Sequence, residues 1–234
     1  MTFFQRVMTD VLDIVCPESC LSCGCHLKAD EGQFLCPECW AEYERTDCSK
    51  DKENIITKSF NSEDIEIVDG CTFLKFDKKE TTQKILHNIK YFNHPELGVK
   101  FGKIAGHQLK KYRRFNDVNY ILPVPMHPDK QKKRGYNQAE KIAEGLSEIL
   151  NIPIKNDILH KNVNTESQTR MNKVQRLKNS MGVYSADRVE ELCEKHFLIV
   201  DDVFTTGATL EVCAKALHSA MPECKISVFA LAKA

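Results

Sequence analysis

The chain has 234 residues, 42% hydrophobic and 28% charged, a composition suited to one main globular domain with a smaller appendage. Lys plus Arg and Asp plus Glu balance at 33 each, so bulk charge gives no support for a dedicated nucleic-acid binder, which would be clearly basic. No apolar run approaches ~18 residues, so no transmembrane span is expected.

The N-terminus lacks a basic start, a long apolar block and a small-residue cleavage site, and it does not read as an export signal. Phe4, Val7, Met8, Val11, Leu12 and Val15 follow helical spacing, which predicts a docking helix. A cytoplasmic location is therefore expected, where thiols stay reduced and paired cysteines more often hold metal. Seven of the eleven cysteines fall between positions 16 and 48. Cys20 and Cys23 form one Cys-x2-Cys knuckle and Cys36 and Cys39 a second, twelve residues on. This is the spacing of a structural tetrahedral zinc site. Zinc, worth roughly 10–16 kcal/mol in small finger peptides, would replace the core that so short a segment lacks. Cys16, Cys25 and His26 are spare donors nearby, and a redox reading of Cys36 and Cys39 lacks the surrounding βαβ pattern. Cys48, Cys71, Cys193, Cys213 and Cys224 read as buried or surface thiols.

Residues 1–50 are thus expected to form an N-terminal helix and finger, and the polar stretch 51–64 a linker or exposed loop. Residues 65–234 form the main domain. There, residues 65–76 show two β-type runs around Asp69-Gly70, a plausible turn. Helical spacing over residues 80–111 breaks at His94-Pro95. A short strand at residues 120–124 leads to a basic loop with Lys130, Lys132, Lys133 and Arg134, then to a helix beginning near Asn137. Residues 152–158 read as extended, and 160–182 as a long polar, basic segment. Strand 197–200, helix 208–220 and strand 226–230 close the chain. Strands alternating with helices imply an α/β fold whose mainly parallel sheet is covered on both faces.

Residues 197–210, FLIVDDVFTTGATL, carry the chemistry. An apolar strand ends in Asp201 and Asp202 at the edge where open α/β sheets bind ligands. Thr205, Thr206, Gly207, Ala208 and Thr209 then turn into a helix, aiming backbone N–H groups and hydroxyls at one spot near a positive helix terminus. Such a loop suits a monophosphate, with carboxylates close by for hydroxyls or a metal-bound sugar. The run resembles the PRPP (phosphoribosyl pyrophosphate) motif of type I phosphoribosyltransferases. That resemblance implies a type I phosphoribosyltransferase-like sheet, ribose hydroxyls on Asp201 and Asp202, and the 5′-phosphate cradled by residues 205–209.

Further elements are similar to the ComF-type competence family. They are Pro123-Val124-Pro125, Arg134-Gly135-Tyr136-Asn137-Gln138, Thr165 with Gln168, Arg176 with Asn179, and the helix around Lys90-Tyr91. The family's N-terminal four-cysteine finger agrees with the cysteine spacing. Pyrophosphate is a highly charged leaving group, so a site for it needs cations and Mg²⁺. Arg134 is the first candidate because Arg matches phosphate oxygens bidentately. Lys132 and Lys133 either join it or lie on a solvated loop. Residues 165–182, with Arg170 and Arg176, form either a hood over the site or a disordered basic loop. Three functions follow: Mg-assisted phosphoribosyl transfer to an acceptor nothing here specifies, non-catalytic PRPP or nucleotide sensing, or handling of single-stranded DNA. For the last, Tyr136 would offer a stacking ring beside the lysines. The resemblance implies a role in natural transformation, with single-stranded DNA and uptake-machinery proteins such as a DNA-uptake helicase as partners.

Overall fold

The computed structural model describes residues 19–27, 34–42, 45–46, 55–60, 65–76, 81–91, 94–163 and 182–234. The expected N-terminal docking helix, Cys16, Cys48, Arg170, Arg176 and the Thr165, Gln168 and Asn179 positions lie outside them. Four strands, β1 (Ile67–Lys75), β2 (Tyr120–Pro123), β5 (His196–Phe204) and β6 (Lys225–Lys233), form a sheet of order β1-β6-β5-β2. Every pairing in it is parallel. Two short strands, β3 (Leu159–Lys161) and β4 (Tyr184–Ala186), pair antiparallel beside it and bracket the basic segment.

Helices cover both faces, as a parallel sheet requires, and a short helix α1 (Pro37–Glu42) lies in the cysteine-bearing segment. Alternate residues of β5 feed the two cores, following the two-residue period of a strand. Leu198 and Val200 pack with α3 (Thr81–Tyr91), α4 (Pro95–Lys111) and α6 (Gln138–Leu150) through Ile85, Ile89, Phe101 and Leu146. Phe197 and Ile199 pack with α2 (Ile55–Ser59), the β3–β4 hairpin and α7 (Ala208–Ala220) through Ile56, Leu159, Tyr184, Leu210 and Leu217. Among the described residues no helix is long and apolar enough to cross a membrane.

Helix α4 starts at the Pro95 break and buries Leu97, Phe101, Ala105 and Leu109 on one stripe. It lies unusually close to α6. A Cβ added at Gly145 would press inside van der Waals contact of the Val99 carbonyl, and one added at Gly102 would strike that of Ile142. Helix propensity alone would favour alanine here by about 1 kcal/mol. We expect instead that Gly145→Ala lowers unfolding free energy by about 1–3 kcal/mol in urea melts, the cost of overpacking. An unchanged or raised midpoint would contradict this packing.

Two local expectations are corrected. Asp69-Gly70 is no turn: β1 runs straight through it, with a register shift between Ile67 and Asp69. The Asp69 carboxylate is buried against Arg114, whose Nε donates at 2.8 Å, whose second nitrogen also meets it, and which reaches the Gly70 carbonyl at 3.2 Å. The basic loop is a helix, α5 (Pro128–Arg134), capped by His127 before Pro128 and ended by Gly135 in the left-handed region. The piece expected to be extended, residues 152–158, bridges β2 in parallel at Ile154, with the Ile121 amide donating to the Pro153 carbonyl and the Lys155 amide to the Ile121 carbonyl, both at 2.9 Å. In addition, Cys71 is disulfide-bonded rather than a simple thiol. Ser227, His196 and Asp117 also align, with contacts of 2.8 and 3.1 Å, at the N-terminal end of the sheet. Ser227 is fully buried there, so this row is structural.

Candidate functional site

Strand β5 extends past the apolar run to Phe204, so both acids sit inside the strand rather than beyond it. Being consecutive, their side chains leave opposite faces. Asp202 continues the Leu198–Val200 side and meets Lys90 of α3, whose Nζ lies 3.1 Å from Asp202 Oδ2. Asp201 continues the Ile199 side, toward Lys161 of β3, which burial pushes down, and Cys213 of α7, which burial and then the Asp201 charge push up. The Asp202 amide donates to Asp201 Oδ1 at 2.8 Å.

Burial, reinforced by the Asp202 charge, pushes Asp201 up to about 7, while Lys90 and Lys161 pull it the other way. A free aspartate titrates near ~3.9, so the folded state holds a proton that the unfolded chain has lost between about pH 4 and 7. This contribution is fully present below that window and is lost as pH rises through it. Relative to wild type, Asp201→Asn is therefore expected to stabilise the ligand-free protein at pH 7.5 by on the order of a few kcal/mol. At pH 4 it should make little difference. Equal midpoints for the two proteins across the range would contradict the assigned environment.

The phosphate-type loop follows. Gly207 has φ 78°, a left-handed conformation, and caps α7 without a side-chain hydrogen bond. Glycine is needed on two counts, since a Cβ would also press to 3.0 Å from the Phe204 ring. Phe204 is held from behind by Phe60, 6.3 Å between centroids. Asp201, Val203, Thr205, Thr206, Gly207, Ala208, Thr209 and Leu210 line one small open pocket. An anion there would meet the helix N-terminus and the exposed hydroxyls of Thr205, Thr206 and Thr209.

The cations are less uniformly placed. Arg134 stands at the end of α5, donating to Gln138 Oε1 at 2.7 Å and lying 5.2 Å from the centre of the Tyr91 ring. Among the described residues it makes no ion pair with either acid. Lys132 and Lys133 are exposed and make no ion pair among the described residues. Tyr136 cannot stack on a ligand: it is buried, and its hydroxyl donates to the Ile89 carbonyl at 2.5 Å. Lys90 is the site residue to which the sequence pattern attached no chemistry. Its position in a helix far upstream gives no sign of the acid it meets.

The four predicted cysteines do converge. The Sγ atoms of Cys20, Cys23, Cys36 and Cys39 all lie within 4.8 Å of one another, with Cys23 and Cys36 at 3.8 Å. A tetrahedral zinc with bonds of about 2.3 Å sets its sulfurs about 3.8 Å apart, so the residues fit the ion. The Cys36 amide donates to Cys20 Sγ and the Cys39 amide to Cys36 Sγ, both at 3.4 Å, an arrangement that favours thiolate. The Cys25 amide and thiol pull Cys23 down to about 6. Cys25 is exposed and is not among the four that converge. His26 is exposed and outside the cluster.

Residues 132–234 match the family model described as phosphoribosyl transferase domain. The chain is 36% identical over 132 residues to competence protein F of Haemophilus influenzae, covering 56% of this chain and 57% of that one. It is 25% identical over 211 residues to competence protein ComFC of Streptococcus pneumoniae, covering 87% and 83%. Against ComFC of Bacillus subtilis it is 28% identical over 118 residues, covering 50% and 46%. The matches to the Haemophilus and Bacillus proteins thus span only about half of each relative's length. Among solved structures, a purine phosphoribosyltransferase from Pyrococcus horikoshii aligns at TM-score 0.35 and 21% identity, covering 58% of this chain and 83% of that one.

Proposed function

For a chain that is a homologue of competence protein F and ComFC and carries a phosphoribosyl transferase domain at residues 132–234, we propose a PRPP-binding function exercised in DNA uptake. The observation that carries it is the pocket of residues 201–210, which joins a left-handed glycine, a helix N-terminus, three threonine side chains and Asp201, with Asp202 next along the strand. The 5′-phosphate sits on Thr205, Thr206, Gly207, Ala208 and Thr209, and the ribose hydroxyls donate to Asp201 and Asp202. Pyrophosphate leaves toward Arg134, Lys132 and Lys133, and residues 165–182, with Arg170 and Arg176, close over the site. Mg²⁺ carried with PRPP would supply the charge these side chains do not. Little covalent chemistry is asked of the protein; positioning and charge stabilisation at C1 carry phosphoribosyl transfer to an acceptor.

On this reading residues 1–50 form a zinc-bearing appendage in which Cys20, Cys23, Cys36 and Cys39 hold the ion, and residues 65–234 the transferase-like domain of a cytoplasmic protein; residues 51–64 join the two as a linker whose helix α2 packs Ile56 into the main domain's core. Single-stranded DNA and uptake-machinery proteins are the partners suggested by the relatives' names. The reading is tested by calorimetric titration with PRPP and Mg²⁺. Saturable binding that Gly207→Val abolishes is expected, since a β-branched residue both resists the positive φ and collides with Phe204. Absence of binding by wild type would contradict it. Pyrophosphate release in the presence of candidate acceptors then separates an enzyme from a sensor.

A further inference from the structure

Within the acid pair, the protein holds one oxygen of each carboxylate and leaves the other open. Asp201 Oδ1 accepts from the Asp202 amide at 2.8 Å, and Asp202 Oδ2 meets the Lys90 ammonium at 3.1 Å. Asp201 Oδ2 and Asp202 Oδ1 have no protein partner among the described residues. Two open acceptor oxygens are what two neighbouring sugar hydroxyls require, and a carboxylate pinned at one oxygen presents the other in a fixed direction.

Lys90 is suited to do the pinning. Its side chain and that of Asp202 are only 27% and 17% exposed, so this is no solvated surface pair. Helix α3 is firmly seated, with Ile85 and Ile89 fully buried and the Thr82 hydroxyl bonded to the Lys75 carbonyl at 2.8 Å. The Ile89 carbonyl, near the end of the helix, is taken by Tyr136, which ties α3 to the start of α6 one residue before Lys90. Lys161 of β3, Tyr184 of β4 and Cys213 of α7 surround the Asp201 side instead. Among the described residues Lys90 is the one cation that forms an ion pair with either acid.

We propose that Lys90 is a positioning residue of this site: by holding Asp202 Oδ2 it aims Asp202 Oδ1 at a ribose hydroxyl and offsets the repulsion between the two acids. The inference rests on the PRPP reading above and deepens it. Lys90 acts through Asp202 rather than on the sugar, so its effect vanishes once Asp202 no longer carries a charge.

The test is calorimetric titration of the full chain with PRPP and Mg²⁺ for wild type, Lys90→Met, Lys90→Arg, Asp202→Asn and the Lys90→Met/Asp202→Asn double variant. Losing a hydrogen bond between charged groups predicts binding about 10- to 100-fold weaker in Lys90→Met. Lys90→Arg, which keeps the charge, should restore most of it. In the Asp202→Asn background Lys90→Met should cost less than about threefold, the non-additivity of a coupled pair. Equal affinity of wild type and Lys90→Met would overturn the inference alone. So would an undiminished loss in the Asp202→Asn background, or a failure of Lys90→Arg to bind better than Lys90→Met. No binding by wild type would overturn it together with the reading on which it rests. Lys103→Met, on an exposed pair with Glu148, serves as the control that leaves binding unchanged.

Discussion

Stripping the protein of metal with a strong chelator, or replacing Cys39 by serine, is expected to detach the whole cysteine-bearing segment from the main domain. Among the described residues the segment has no core of its own. Cys20, Leu35, Cys36 and Cys39 are buried in the same cluster as Ile85, Leu97 and Phe101, and Trp40 stacks on Phe101 at 5.8 Å. The Ser22 hydroxyl meets Thr81 at 2.9 Å and its carbonyl accepts from Lys84 at 2.7 Å, so the finger is docked on α3 and α4. Four thiolates converging without a cation repel one another. Zinc binding, worth about 10–16 kcal/mol in finger peptides, is what holds such a segment folded. Purified protein should therefore contain one zinc per chain. Because Trp40 is the single tryptophan, its emission should move to the red as the metal is removed. Protein that carries no zinc, with emission indifferent to chelator, would contradict the assignment.

The second large effect is expected at the opposite end of the sheet. Asp69 and Arg114 are 2% and 8% exposed, and Arg114 satisfies both carboxylate oxygens and the Gly70 carbonyl. Arg114→Leu leaves Asp69 charged and uncompensated, which typically costs about 3–5 kcal/mol. In a chain of this size that is a fall of roughly 6–20 °C in melting midpoint. Adding Asp69→Asn should recover part of the loss, since the stranded charge goes with it. A loss below about 1 kcal/mol would place this pair with weak surface bridges.

The parts of this architecture that were legible in sequence are those specified locally. The β5–loop–α7 unit reads directly because an apolar run, two acids and a Thr-Thr-Gly turn lie side by side in the chain. The helix pair α3 and α4 reads from its apolar stripe and from Pro95. The Cys-x2-Cys knuckles predict their own convergence. What escaped is what distant chain supplies. Asp-Gly signals a turn when nothing else is known, but Arg114 gives Asp69 a buried partner, and the Ile56 side chain fills the space beside Gly70. Helix α5 has no apolar periodicity to betray it, although Pro128 and Gly135 are proper start and stop signals. Tyr136 looked free to stack because the Ile89 carbonyl that takes its hydroxyl lies in another helix. Lys90 joined the site for the same reason, through a contact no spacing rule describes.

The central claim, that the 201–210 pocket is a PRPP site, is tested most directly by the thermal unfolding midpoint of wild type and Asp201→Asn/Asp202→Asn, with and without PRPP and Mg²⁺. Ligand at ~100 times its dissociation constant adds about 2.7 kcal/mol, or roughly 5–10 °C for a chain of this length. The account predicts that rise in wild type and its loss in the double variant. A midpoint unmoved by millimolar PRPP and Mg²⁺ in wild type, or moved equally in both proteins, would contradict it.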